Sequence, residues 1–290
     1  MCFILPKLIP SFLSYETLNF RLCLFFYGPI DGDNKPIPIS EDHVKKGKLR
    51  MTGREMLCFV KNFGVLVGDL IPRNYSYWKL YLKLRNILDF AMAPHLCPDD
   101  LLLIEAIVTG YFKYFLELEP KYCFKPKDHL LTHYWRIMEQ VGPLSKIFCW
   151  RFQAKHKKLK ATATTPKKNL ALTIAIKHQL SLCHRFIANQ NLVPVTKFGP
   201  THLVDLELEE SYHLFKNCLP STINVNNCAF SQWVEYKGTR YTSDMTLVIG
   251  VEDFSPLFAK IELIVPDYVD DVLFICSHFS NLGFDEHMHS

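Results

Sequence analysis

The side chains best suited to chemistry in this chain lie between Lys125 and Lys168. From Arg151 to Lys168 there are seven Lys or Arg and no Asp or Glu. His156 adds an eighth group able to become cationic. Cations at this density suit phosphate oxygens, which they neutralise without reading sequence. The residues that would do so are Arg151, Lys155, His156, Lys157, Lys158, Lys160, Lys167 and Lys168. The competing reading is a solvated helix face whose stems pack on the core. Gln153 sits where an apolar run (Ile147, Phe148, Trp150, Phe152) meets the basic one. On a helix it shares a face with Lys157 and Lys160. A second basic run, His43 to Arg50, carries Lys45, Lys46, Lys48 and Arg50. It offers a smaller phosphate contact, or only a solvated loop. His129 and His133 stand at i and i+4, a spacing that puts both imidazoles on one face and could hold zinc. No glutamate follows His129, and Asp128 precedes it, so this is no zinc-protease signature. A buried, hydrogen-bonded pair is the favoured reading.

Four stretches in order carry a resemblance. They are K-P-K-D-H-L-L-T-H-Y from Lys125, G-P-L from Gly142, R-F-Q-A-K-H from Arg151, and K-K-N-L-A-L-T-I-A-I-K-H-Q-L from Lys167. Together they resemble the C-terminal half of animal CACTA-type (En/Spm-like) transposases, over a span from about Tyr15 to His289. The resemblance implies an RNase H-like fold with a large helical insertion, followed by a β module. It also implies Mg²⁺-dependent DDE chemistry in the parental family. That family shows R-F-E-A-K-H, with a catalytic glutamate, where this chain has Gln153. Glutamine is isosteric with glutamate but neutral, so it holds a hard divalent cation far less well. The family's first two carboxylates lie upstream of the region resembling Met1 onward. Two-metal strand transfer needs all three.

The resemblance therefore implies a transposon-derived protein without catalysis or cofactor. Its partners would be DNA and other transposase-like subunits, with no membrane and no small-molecule substrate. Its setting would be the nucleus or the cytoplasm. One alternative is a protein-interaction scaffold that binds no DNA, with the acidic β module as its working part. Another is a fragment of a longer, active transposase, which the abrupt start relative to the family pattern would fit.

Charge is spread unevenly over the 290 residues. Residues 1–199 hold 29 Lys/Arg against 15 Asp/Glu, a net +14, whereas residues 200–290 hold 4 against 14, a net −10. Such asymmetry suits a basic part that meets a polyanion and an acidic part that does not. The hydrophobic fraction of 49% allows a sizeable core and argues against a disordered chain. The ten cysteines include no C-x-x-C pair, which argues against a zinc ribbon. They read as reduced thiols, mostly buried as small hydrophobes. No apolar stretch reaches the roughly 18 residues of a membrane helix. The first fourteen residues contain Pro6 and Pro10 and lack the pattern of a secretory leader.

The elements that must position these groups give an α+β class, mainly helical and then a small β-barrel-like module. The expected divisions are a lead-in helix and loop (1–50), a helical transposase-like region (51–190), a linker with an acidic segment (191–226) and the β module (227–290). A short helix is expected from Tyr15. Thr52 and Glu55 have capping-box spacing and open another, with Phe59, Val60, Phe63 and Val67 at helical intervals. Further helices are expected over Tyr77–Ala93, from Pro98 to about Leu118, over Lys127–Gln140, over Leu144–Lys160, and from Pro166 to Ala188. From Phe230, alternating strands separated by Gly, Asp and Pro signals predict an SH3-like or OB-like barrel. Phe284 to His289 holds an Asp/Glu/His cluster of a kind that can ligate metal; at a chain end it reads as a flexible acidic tail.

Overall fold

The computed structural model describes residues 1–9, 11–149, 156, 159–160, 162–164, 168–188, 196–204, 228–236, 239–252, 255–266 and 272–290. The chain divides into two compact units. The first comprises Met1–Tyr27, Asp31–Thr165 and Phe284–Ser290; the second comprises Gly28–Ile30 and Pro166–Gly283.

The first unit is helical. Its elements are α1 (Leu5–Leu8), α2 (Tyr15–Leu24), α3 (Gly28–Asp31, whose first three residues group with the second unit), α4 (Glu41–Lys45), α5 (Gly53–Val67), α6 (Ser76–Met92), α7 (Pro98–Leu118), α8 (Pro126–Thr132) and α9 (Tyr134–Val141). Capping chemistry starts several of them, α2, α5 and α7 among these. Ser14 accepts from the Thr17 amide ahead of α2. At α5, Glu55 Oε2 accepts from the Thr52 amide at 2.6 Å and Thr52 Oγ1 accepts from the Glu55 amide at 3.3 Å. At α7, Pro98 occupies the first turn, where no amide is needed, and Asp100 accepts from the Cys97 amide.

Helical spacing on α5 then buries Phe59, Phe63 and Val67 against Trp78 and Tyr81 of α6. Removing each such side chain from water stabilises the fold by about 1.5–3 kcal/mol. Tyr81 keeps its hydroxyl inside because the group is satisfied. It donates to Val60 O at 3.1 Å and accepts from the Gly64 amide at 2.7 Å. A second cluster joins α6, α7 and α9 through Ile87, Ile104, Val108 and Met138.

Three expectations are corrected in this unit. Residues 1–50 are no separate lead-in: Ile4, Leu5, Leu8, Leu18, Leu22, Ile39 and Leu49 are buried in the same core as Phe63 and Trp78. The Asn19 side chain pins the 35–40 loop to it, donating to Ile39 O and accepting from the Ile39 amide. The helix expected over Lys127–Gln140 is two helices, because His133 at φ −97° and ψ −1° breaks it.

Most consequentially, Phe284–Ser290 is no free tail. Trp78 Nε1 donates to His287 Nδ1 at 3.1 Å and to His287 O at 3.0 Å, and Met288 lies over Gly64 and Gly68. An apolar notch and an indole donor hold it, neither of which is visible in the segment's own composition.

Among the described residues, the second unit holds α10 (Leu170–Ile187) and eight strands: β1 (Lys197–Phe198), β2 (Thr201–Val204), β3 (Cys228–Ser231), β4 (Trp233–Tyr236), β5 (Thr239–Thr242), β6 (Thr246–Glu252), β7 (Ser255–Pro266) and β8 (Val272–His278). They form three antiparallel sheets ordered β1-β4-β5, β2-β3 and β6-β7-β8. Val234, Met245, Ile261 and Ile264 make the core. A bulge between Ile261 and Leu263 shifts the alternation, so that Ile261 and Ile264 are both inside. The expected closed barrel is not formed among the described residues, since β7 pairs only with β6 and β8 and β4 only with β1 and β5.

The presumed linker contributes β1 and β2, which were too short to read from pattern. α10 starts at Leu170, behind Asn169 in the left-handed region at φ 51°. The thiols also differ from expectation: among the described residues, Cys23, Cys97, Cys123, Cys149 and Cys183 are exposed and only Cys58 and Cys228 are buried. No helix among the described residues is long and apolar enough to cross a membrane.

Candidate nucleic-acid interface

The His43–Arg50 run is shaped by the end of α4. Gly47 at φ 58° sits just past the helix, where its amide donates to Val44 O and the Lys48 amide donates to His43 O, both at 3.0 Å. This is the Schellman arrangement, and a left-handed residue there suits glycine. The reversed chain then alternates. Leu49 is buried, while Lys48 and Arg50 on either side of it are exposed. The core leucine thereby aims two cations outward.

Together with Ser40, Asp42, His43 and Lys46 they line a concavity of about 550 Å³. Lys45 is committed elsewhere. It pairs with Glu41 at 2.7 Å, and that carboxylate holds its ammonium above the ordinary value. Lys46 is 3.8 Å from Asp42, a loose pair that leaves it available. Lys48 and Arg50 form no ion pair among the described residues.

The main basic run falls largely outside the described residues: Arg151, Gln153, Lys155, Lys157, Lys158 and Lys167 all do. The expected Leu144–Lys160 helix is described only in part. Gly142 at φ 80° ends α9 and a single 3₁₀ turn, Leu144–Lys146, follows, tied to α6 by Ser145 Oγ donating to Ala93 O. His156 and Lys160 lie on helical turns and are exposed, as is Lys168. Lys160 belongs to the first unit and Lys168 to the second.

His129 and His133 do meet. Their Nε2 atoms are 3.0 Å apart and the rings are edge-on at 4.5 Å. One ring must donate and the other accept across this contact. It lies at the surface and not in the core, which corrects the expected burial. The nearby Asp128 is already engaged by the Tyr122 hydroxyl and the Lys125 amide, both at 2.8 Å. No group of three or more His, Cys, Asp or Glu among the described residues is placed to hold a metal ion.

Sequence reasoning named the cations of the His43–Arg50 run but missed the concavity. The signal was the glycine in H-V-K-K-G-K-L-R, placed where a helix cap turns the chain back on itself. No protein-family model, no curated protein and no solved structure matches the chain.

Proposed function

We propose that the chain is a catalytically inactive, transposon-derived protein that binds nucleic-acid phosphates through its basic surface in the nucleus or cytoplasm. The observation that carries this reading is the concavity at the end of α4, where Lys48, Arg50, Lys46 and His43 face one opening. A phosphate there is approached by cations that a buried leucine and a glycine cap hold in place. Nothing in the arrangement selects a base, so binding is sequence-tolerant and salt-sensitive. The basic run Arg151–Lys168 extends the same chemistry. The transposase origin rests on the four sequence stretches and on Gln153 at the family's glutamate.

A labelled duplex titrated with the full chain at several salt concentrations tests it. Lys48→Ala with Arg50→Ala should flatten the slope of log K against log salt by up to roughly 2, at about 0.9 per phosphate. Lys157→Ala, Lys158→Ala and Lys160→Ala together should flatten it by up to roughly 3. Slopes equal to wild type in both variants would overturn the phosphate contacts. Mg²⁺-dependent nicking that EDTA abolishes would overturn the inactive assignment. Substitutions are used because removing residues 200–290 would also strip Phe284–Ser290 from the helical unit.

One observation favours a protein-interaction reading as the alternative. α10 buries no residue, and Leu172, Ile176, Leu180 and Ile187 form an exposed stripe along it. Under that reading duplex binding is absent at ~150 mM salt and the lysine changes are silent.

A further inference from the structure

We infer that His129 and His133 form a two-point chelate for a divalent cation that favours imidazole nitrogen, Zn²⁺ or Ni²⁺, at the joint between α8 and α9. Their Nε2 atoms are 3.0 Å apart. An ion bonded to both nitrogens at the usual ~2.0–2.1 Å would subtend about 95° between them. That is close to the right angle between neighbouring positions of a square-planar or octahedral ion, a geometry suited to Ni²⁺. A tetrahedral Zn²⁺ needs the nitrogens about 0.3 Å further apart, which small changes in the side-chain torsions supply.

The rings are set for this. Their planes stand at 89°, and their centroids are 4.5 Å apart against 3.0 Å for the nitrogens. A head-on N–H···N bond would add a full ring radius at each end, more than that difference. The two Nε2 vertices therefore meet at an angle, and both lone pairs can be turned toward one outside point.

The backbone fixes the spacing. The His129 amide donates to Lys125 O at 3.2 Å, the His133 amide donates to Leu130 O at 3.1 Å, and His133 O accepts from the Ile137 amide at 3.0 Å. Thr132 Oγ1 also donates to His129 O at 2.7 Å. His133, at φ −97° and ψ −1°, is the residue on which α8 gives way to α9. A cation held by both rings thus braces the joint, and a pair already in place loses little freedom on binding it.

Donor type sets the class of cation. Imidazole suits Zn²⁺ and Ni²⁺, whereas Mg²⁺ and Ca²⁺ take oxygen ligands. Asp128, one position before His129, is directed to the Tyr122 hydroxyl and the Lys125 amide. No third His, Cys, Asp or Glu joins the pair among the described residues, so water fills the other positions and affinity is modest. His129 is exposed, which gives the ion an entry path. Without metal, one ring carries its proton on Nε2. On coordination that proton leaves to water and the same ring takes one up on Nδ1, so two neutral rings bind with no net proton release.

The test is a Zn²⁺ titration of the full chain, kept reduced and isotope-labelled in histidine nitrogen, followed by the ring-nitrogen NMR shifts. His129→Gln and His133→Asn assign the two rings. In wild type both Nε2 signals should move together with a single midpoint, and about a hundredfold excess of Mg²⁺ should leave them in place. Each single variant should weaken Zn²⁺ binding at the remaining ring by about a hundredfold, because the second contact is no longer intramolecular. Exchange of the His133 and Ile137 amides in wild type should slow as the site fills. Four results overturn the proposal: rings that shift with different midpoints; rings that stay in place while Zn²⁺ is taken up, which assigns the metal to the thiols; an equal response to Mg²⁺; or a single variant that binds as tightly as wild type. The first three are read from wild type alone, so they decide even if a variant disturbs α8.

Discussion

Gly64→Ala is expected to destabilise the protein and unseat Phe284–Ser290, although alanine is the better helix former. In a free helix the change would gain up to about 1 kcal/mol. Here the new methyl would lie 1.9 Å from the Met288 carbonyl oxygen and 3.2 Å from the Tyr81 hydroxyl. The first obstacle is backbone, which cannot swing aside as a side-chain tip can. Either this terminal hook leaves or α5 shifts, and α5 is held by Phe59, Phe63 and Val67 in the core. Overpacking of this kind costs about 1–3 kcal/mol, enough to reverse the sign of the propensity gain.

Gly110→Ala is the matched control. Gly110 is inside α7 with nothing within 4 Å of its Cβ position, so it should stabilise by about 0.5–1 kcal/mol. Urea midpoints of the two variants, with exchange of residues 284–290, check the pair. If both variants are stabilised alike, the Met288 carbonyl does not rest on Gly64.

The same position shows where sequence reading runs out. α2, α5, α6 and α7 were legible because each announces itself locally: Thr52 as a cap, Pro98 at a first turn, apolar residues at helical intervals. The cations at Lys48 and Arg50 were legible as composition. Their convergence was not, since it depends on Gly47 adopting φ 58° and on Leu49 finding the core.

The hook was misread for a related reason. Asp, Glu and His near a chain end read as solvated, and the groups that capture them, Gly64, Gly68, Trp78 and Asp89, lie about 200 positions away. The absence of a closed barrel among the described residues has its own cause. Strand alternation sets which face is buried, but which strands pair, β7 with β6 and β8, is a long-range choice. The break at His133 leaves the apolar period almost unchanged, so pattern alone passes over it.

Trp78 carries the second large expectation. It is fully buried, with ring centroids 4.7 Å from Tyr81, 5.8 Å from Phe63 and 5.6 Å from His287. Trp78→Ala should cost about 3–5 kcal/mol, a large share of the 5–15 kcal/mol typical of a whole domain. Much of that is packing lost between α5 and α6, and would arise whether or not the hook mattered. Trp78→Phe separates the two contributions. Phenylalanine keeps an aromatic ring between Phe63 and Tyr81 but has no N–H, so His287 Nδ1 and O both lose their donor. Leaving such acceptors unpaired costs about 1–3 kcal/mol. That loss falls on the hook and not on the helix pair. The Phe variant should therefore show a modest fall in urea midpoint, with exchange of residues 284–290 accelerated and exchange within α6 close to wild type. Wild-type exchange rates in 284–290 would mean that the indole donor contributes nothing, and that Met288 over the two glycines and His289 on Asp89 hold the segment without it.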